Sequence, residues 1–70
     1  MKNAKSFFLN GEKFFTPETI NLLDVITYFN YSSSLLVIEY NNFICSRENW
    51  TTIYVNDQDR VEIVTIVGGG

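Results

Sequence analysis

Apolar positions in the first part of the chain fall into two short runs, Ser6-Phe7-Phe8-Leu9 and Lys13-Phe14-Phe15-Thr16, on either side of Asn10-Gly11-Glu12. Asn and Gly both tolerate the positive φ of a type I′ turn, so the pattern predicts strand, tight turn, strand. The period then changes. Leu22, Val25, Ile26 and Phe29 recur at helical spacing, with Leu23 flanking and Asn21, Asp24 and Thr27 on the other side. This stripe predicts one amphipathic helix of about three turns. Thr16 is its expected N-cap, Pro17 its first residue, and Glu18 an acid at the positive end of the dipole. Asn30, which tolerates the left-handed conformation, is the expected stop, and Ser32-Ser33-Ser34 a loop.

Leu35 to Tyr40 reads as a third strand that turns at Asn41-Asn42 into a short partner, Phe43-Ile44-Cys45. Ser46 to Trp50 is polar except for the Trp and is expected to form a single helical turn or tight loop. Asn56-Asp57-Gln58-Asp59 is a polar turn. Val61 to Val67, rich in β-branched residues, is the last strand and runs into Gly68-Gly69-Gly70. The order β-β-α-β-β-β predicts an α+β fold, one sheet with a helix across one face. Strand parity assigns the faces, because side chains alternate and a charge marks the solvent side. Glu62 therefore sets Val64 and Ile66 outward and Val61 and Ile63 toward the helix. Glu39 sets Val37 and Leu35 outward and Leu36, Ile38 and Tyr40 inward.

Composition narrows the function. With 70 residues, 46% of them hydrophobic, the chain is one domain, residues 1–70, of modest stability. There is no histidine and one cysteine, and the carboxylates are scattered, so no nucleophile–base pair is legible and an autonomous enzyme is disfavoured. No phosphate-binding loop is present, since the glycine cluster has no helix after it. A net charge of −3 with Lys2, Lys5, Lys13, Arg47 and Arg60 dispersed argues against nucleic acid or an anionic membrane as partner. The longest apolar run, Leu35 to Ile38, is far short of a membrane span, and Met1 to Asn10 does not read as a secretory signal. Cys45 is expected to be packing rather than a reactive thiol, and an unpaired cysteine fits a reducing compartment. Trp50 reads as core cover and Arg47 as the residue that orients its turn. Asp57, Asp59 and Glu62 lack calcium-ligand spacing and read as a solvated turn, so no metal site is expected.

Several segments together carry a family likeness: Leu9-Asn10-Gly11-Glu12, Val37-Ile38-Glu39-Tyr40-Asn41, Arg47-x-x-Trp50, and Asp57-x-Asp59-Arg60 through Gly70. In these the chain resembles the ubiquitin-like β-grasp fold and, within it, the ThiS family of sulfur carriers for thiamine thiazole synthesis. The spacing between Thr16 and the leucine pair departs slightly from that pattern. The resemblance implies a mixed sheet of four to five strands, one helix across one face, and a flexible glycine tail. It further implies that an E1-like adenylating enzyme of the ThiF type adenylates the Gly70 carboxylate. A sulfur donor such as a cysteine desulfurase would then supply sulfur for a thiocarboxylate, used by a thiazole synthase of the ThiG type. The carrier itself would bind no cofactor, with ATP and metal belonging to the activating enzyme. Gly68 and Gly69 would thread a narrow crevice, where the absence of a Cβ is an asset. Leu35, Val37, Val64 and Ile66, an apolar patch leading to the tail, are the expected docking surface.

Alternatives sharing the tail are the small subunit of molybdopterin synthase, disfavoured by Arg47-x-x-Trp50, and a ubiquitin-like modifier joined to lysines through Gly70. A non-reactive interaction module is the third. Phe, Tyr, Met, Ile, Asn and Lys supply 29 residues against eight from Gly, Ala, Arg and Pro, a bias that points to an AT-rich genome. With the triple glycine, which resembles cyanobacterial-type members, the expected location is an algal plastid stroma or a bacterial cytoplasm.

Overall fold

The computed structural model describes residues 4–29, 31 and 35–65. Strands β1 (Lys5–Leu9) and β2 (Glu12–Thr16) form the expected antiparallel hairpin, with Leu9 opposite Glu12. Its turn residues Asn10 and Gly11 have φ of 51° and 84°, the signature of the primed turn that matches strand twist. Strands β3 (Leu36–Tyr40) and β4 (Phe43–Cys45) repeat the device around Asn41 and Asn42, at φ 51° and 75°. Strand β5 (Arg60–Thr65) lies between the hairpins, parallel to β1 and antiparallel to β3. The five-stranded sheet therefore runs β2-β1-β5-β3-β4.

The helix α1 (Leu22–Tyr28) begins later than the sequence pattern predicted. Its N-cap is Asn21, whose Oδ1 accepts from Asp24 N at 2.7 Å while Asp24 Oδ2 accepts from Asn21 N at 2.9 Å. This reciprocal capping box satisfies two donors at once. Thr16 instead ends β2, and its hydroxyl oxygen accepts from Glu18 N at 3.2 Å. The helix opens at Leu22 because the segment after Trp50 crosses its end. Leu22 N donates to Ile53 O and Leu23 N to Trp50 O, each at 3.1 Å, which satisfies N–H groups that have no intrahelical acceptor. The helix has 7 residues rather than three turns, too short to persist without tertiary packing. Its last residue is Tyr28 and its C-cap Phe29; Asn30, the expected stop, and the Ser32-Ser33-Ser34 loop lie outside the described residues.

Leu22, Val25 and Ile26 from α1 pack on Phe7 and Leu9 of β1, Leu36 and Ile38 of β3, and Val61 and Ile63 of β5. Trp50 and Val55 close the same core. Full burial of each large aliphatic side chain favours folding by about 1.5–3 kcal/mol. Phe29 seats edge-on against Phe14, with ring centroids 4.9 Å apart. The Arg47–Asn49 segment is one turn of 3-10 helix, and residues 56–59 form the expected polar turn, Asp59 N donating to Asn56 O at 3.1 Å.

Candidate functional site

The helix α1 covers one face of the sheet, no other described element covers the opposite face, and for the described residues of β3 and β5 the faces follow parity. Val61, Ile63, Leu36 and Ile38 are buried under the helix, whereas Val64 is 54% exposed. Val64 and Val37 are direct cross-strand partners, so the register brings these two patch residues together. Leu35, immediately before β3, is 53% exposed. Ile66 and the Gly68-Gly69-Gly70 tail lie outside the described residues. Ile44, opposite Glu39 and 75% exposed, widens the apolar surface toward β4. It was legible in principle: a two-residue Asn41-Asn42 turn obliges Ile44 to face Glu39 across the strands.

Next along the same face, Glu39 lies directly opposite Glu62. Farther from the valines come Arg60 and, on β2, Lys13, whose Nζ lies 5.6 Å from the Phe15 ring centroid and 6.0 Å from that of Phe8. The open face thus changes from apolar to acidic to basic with distance from the end of β5.

Two asparagines fix the course of β5. Asn10 N donates to Val61 O at 2.9 Å, and its Oδ1 accepts from Ile63 N at 2.7 Å. Asn41 N donates to Arg60 O and its Oδ1 accepts from Arg60 N, each at 2.8 Å. Each side chain continues a backbone ladder past the point where its own strand turns away. Asp59 anchors the entry to β5. It is buried and accepts from the Tyr40 hydroxyl, from Asn41 Nδ2 at 3.1 Å and from Asn56 N at 2.7 Å. Burial, followed by this hydrogen bond to Asp59, pushes the Tyr40 phenol up to about 12. Asp57 Oδ1 accepts from Ser6 N at 2.8 Å, the main reason its carboxyl is held below the usual range. Asp57 and Asp59 thus serve protein donors, and among the described residues no group of three metal-ligating side chains gathers.

Trp50 is 3% exposed, donates from Nε1 to Cys45 O at 3.3 Å, and carries the Arg47 guanidinium 4.7 Å from its ring centroid. The Arg47-x-x-Trp50 spacing is therefore a stacking geometry that holds the 3-10 turn against the core. Cys45 is partly buried on β4, and burial pushes its thiol up. This disfavours the thiolate that nucleophilic chemistry needs. A groove of about 510 Å³ between α1 and β2, with Phe14, Phe29 and Tyr28 among its walls, had no signal in the periodicity, because it exists only where helix and hairpin splay apart.

The model of the ThiS family matches residues 3–70. A protein named ycf40 from Trieres chinensis is 56% identical over 70 residues, covering 100% of this chain and 96% of its own. A ycf40 protein from Porphyra purpurea is 40% identical over 65 residues, 93% of this chain and 92% of its own. The sulfur carrier protein ThiS of Bacillus subtilis is 29% identical over 63 residues, 89% of this chain and 96% of its own. The crystal structure of the thiamine biosynthesis protein ThiS from Geobacter metallireducens shares the fold, with a TM-score of 0.79 at 24% identity, covering 93% of this chain and 99% of that one.

Proposed function

The chain belongs to the ThiS family and is a ubiquitin-like sulfur carrier; we propose that it carries sulfur for the thiazole moiety of thiamine on the carboxylate of Gly70. The observation that supports this reading is the family match over residues 3–70, which takes in the whole of Gly68-Gly69-Gly70. In the proposed reaction a carboxylate oxygen of Gly70 attacks the α-phosphate of ATP and pyrophosphate leaves. Hydrosulfide from the sulfur source then attacks the acyl carbon of the adenylate, the C–O bond to AMP breaks, and loss of the S–H proton leaves the thiocarboxylate. An adenylating enzyme supplies nucleotide, metal and electrostatics, so the carrier is a co-substrate rather than a catalyst. A thiazole synthase receives the sulfur.

Glycines at the three tail positions suit this role, since a Cβ at each would widen a segment that has to enter a crevice. Their ordering on docking costs about 1–2 kcal/mol per residue, which binding by the folded body has to offset. Exposed Val64 and Leu35, with half-buried Val37 beside Val64, supply an apolar surface for that purpose. The ycf40 relatives come from algae, which supports the plastid stroma as the compartment.

The test is intact mass after incubation with ATP, a ThiF-type adenylating enzyme and a sulfur source. Replacement of one carboxylate oxygen by sulfur is expected on the full chain. None is expected when Gly70 is deleted or followed by one extra residue, with melting temperature unchanged. Thiocarboxylation of an extended, untrimmed chain would overturn the reading.

A further inference from the structure

Asn10-Gly11 turns the first hairpin, and the same two residues can react with each other. Asparagine is a thermolabile residue, because its Cγ lies within reach of the next backbone nitrogen and closure gives a five-membered succinimide. A following glycine leaves that nitrogen unobstructed, since it has no Cβ. Gly11 is exposed, and nothing lies within 4 Å of where a Cβ would stand. Among the described residues its amide donates to no acceptor. Nucleophile and water are therefore both at hand, but the carboxamide is held. Asn10 Oδ1 accepts from Ile63 N at 2.7 Å, and Nδ2 donates to Tyr31 Oη at 3.4 Å. Ring closure has to swing Cγ onto Gly11 N and out of the left-handed turn at φ 51°, which breaks the bond to Ile63. Asn41 offers a comparison within the same molecule. Its Oδ1 accepts from Arg60 N at 2.8 Å and its Nδ2 donates to Asp59 Oδ1 at 3.1 Å, yet the next residue is Asn42, whose side chain crowds the attack.

We propose that Asn10 is a self-modification site gated by strand β5. While Ile63 is paired, the carboxamide is held off Gly11 and the reaction is suppressed. When that part of β5 lifts, Gly11 N attacks Asn10 Cγ. A C–N bond forms, the bond from Cγ to Nδ2 breaks, and the proton lost from the Gly11 amide leaves with the nitrogen as ammonia. Water then opens the succinimide at either carbonyl. Opening at Cγ gives aspartate, which keeps an acceptor for Ile63. Opening at the main-chain carbonyl gives isoaspartate, which routes the backbone through Cβ. That adds one atom to a two-residue turn whose length sets Leu9 opposite Glu12, and the oxygen that held Ile63 is lost from its place. The strand leading toward the glycine tail then stays without its hold on the first hairpin. Opening of β5 is thereby recorded as a permanent covalent change. The inference uses only the turn and β5, and stands apart from the sulfur-carrier reading.

The experiment incubates the full chain in mildly alkaline buffer. Intact mass reports exchange of NH2 for OH, peptide mapping gives its position, and isoaspartyl methyltransferase labels the isoaspartate product. Asn10 is expected to react about tenfold or more slowly in the folded chain than in urea above the unfolding midpoint, the difference being set by the cost of local opening. Ile63→Val and Ile63→Ala loosen β5 but keep the amide donor, and are expected to fall between these limits in that order. The valine variant carries the comparison if the alanine variant does not fold. Asn41 is expected to stay unmodified over the same period. In the purified isoaspartyl form, amide protection at Ile63 is expected to be lost, whereas Asn10→Asp, which has no ammonia to release there, keeps it. Equal rates at Asn10 in the folded and unfolded chain overturn the gate. Modification in urea that spares Asn10, or falls equally on Asn41, overturns the site. An isoaspartyl form with wild-type protection at Ile63 overturns the loss of the hold on β5.

Discussion

Substitution of Asn10 probes how firmly the sheet fixes the strand that leads to the glycine tail. Asn10 has φ of 51° and its Oδ1 accepts the Ile63 amide at 2.7 Å. Alanine at this position has both effects at once. An ordinary L-residue in the left-handed region costs roughly 1–2 kcal/mol, and the Ile63 N–H, on a buried residue, loses its acceptor at about 1–3 kcal/mol. With partial relaxation, Asn10→Ala is expected to cost about 2–4 kcal/mol, out of about 4–10 kcal/mol for a domain of this length. The melting temperature falls by about 10–25 °C. Glycine separates the two contributions: Asn10→Gly restores the positive φ but not the acceptor and should cost about 1–2 kcal/mol. Asn10→Asp keeps both acceptor and turn propensity and should cost under about 1 kcal/mol. Chemical denaturation gives the three free energies. Amide hydrogen exchange at Ile63 gives an independent readout, with protection lost in the Ala and Gly variants and kept in Asp. Equal stability of the Ala and Gly variants would refute the backbone argument. Wild-type protection of Ile63 in Asn10→Gly would refute the latch.

Cys45→Ser is expected to cost about 1–2 kcal/mol by placing a hydroxyl in a partly buried site, while sulfur loading per folded molecule, read by intact mass, persists. Complete loss of loading in a folded variant would make Cys45 part of the chemistry. Val64→Glu is expected to leave the melt within a few degrees of the wild type but to raise the carrier concentration needed for half-maximal adenylation, and normal activation would remove the patch from the docking surface. Tyr40 makes a pH prediction. Its folded pKa is raised to about 12 from about 10 in the unfolded chain, so the stability it contributes is full below pH ~10 and is lost as pH rises toward ~12. Melting temperature should fall through that window more steeply for the wild type than for Tyr40→Phe, and parallel curves would contradict the assignment.

The elements legible in the sequence are those that local chemistry specifies. Asn10-Gly11 and Asn41-Asn42 each admit positive φ, so both hairpins could be read, and with Glu39 and Glu62 as markers the inward and outward faces of β3 and β5 followed. The helix start could not be read in the same way. Thr16-Pro17-Glu18 and Asn21-x-x-Asp24 are rival caps of similar local merit, and the choice falls to carbonyls of Trp50 and Ile53, some thirty residues away in sequence. The Asp59 cluster was missed for the same reason. An acidic turn looks solvated until the fold brings Tyr40 and Asn41 to it. For the candidate site, parity located Val37 and Val64, but the Glu39–Glu62 opposition requires the register, which one strand alone does not contain.

The place of β5 in the sheet has a consequence for how the chain is made. Two local hairpins are ready early, yet the strand that joins them is the last of the described elements, and its pairing with β1 connects Phe8 to Arg60. Closing so long a loop precedes any reward from the contact, which makes assembly slow relative to the hairpins themselves. Neither half can complete the sheet before residues 60–65 are available, and the Val37–Val64 pair does not exist until they are in place. A nascent or partly unravelled chain therefore lacks the Val37–Val64 pair and, with it, the proposed docking face. A partner that docked on that face would bind only the finished fold, and docking would serve as a check that folding is complete.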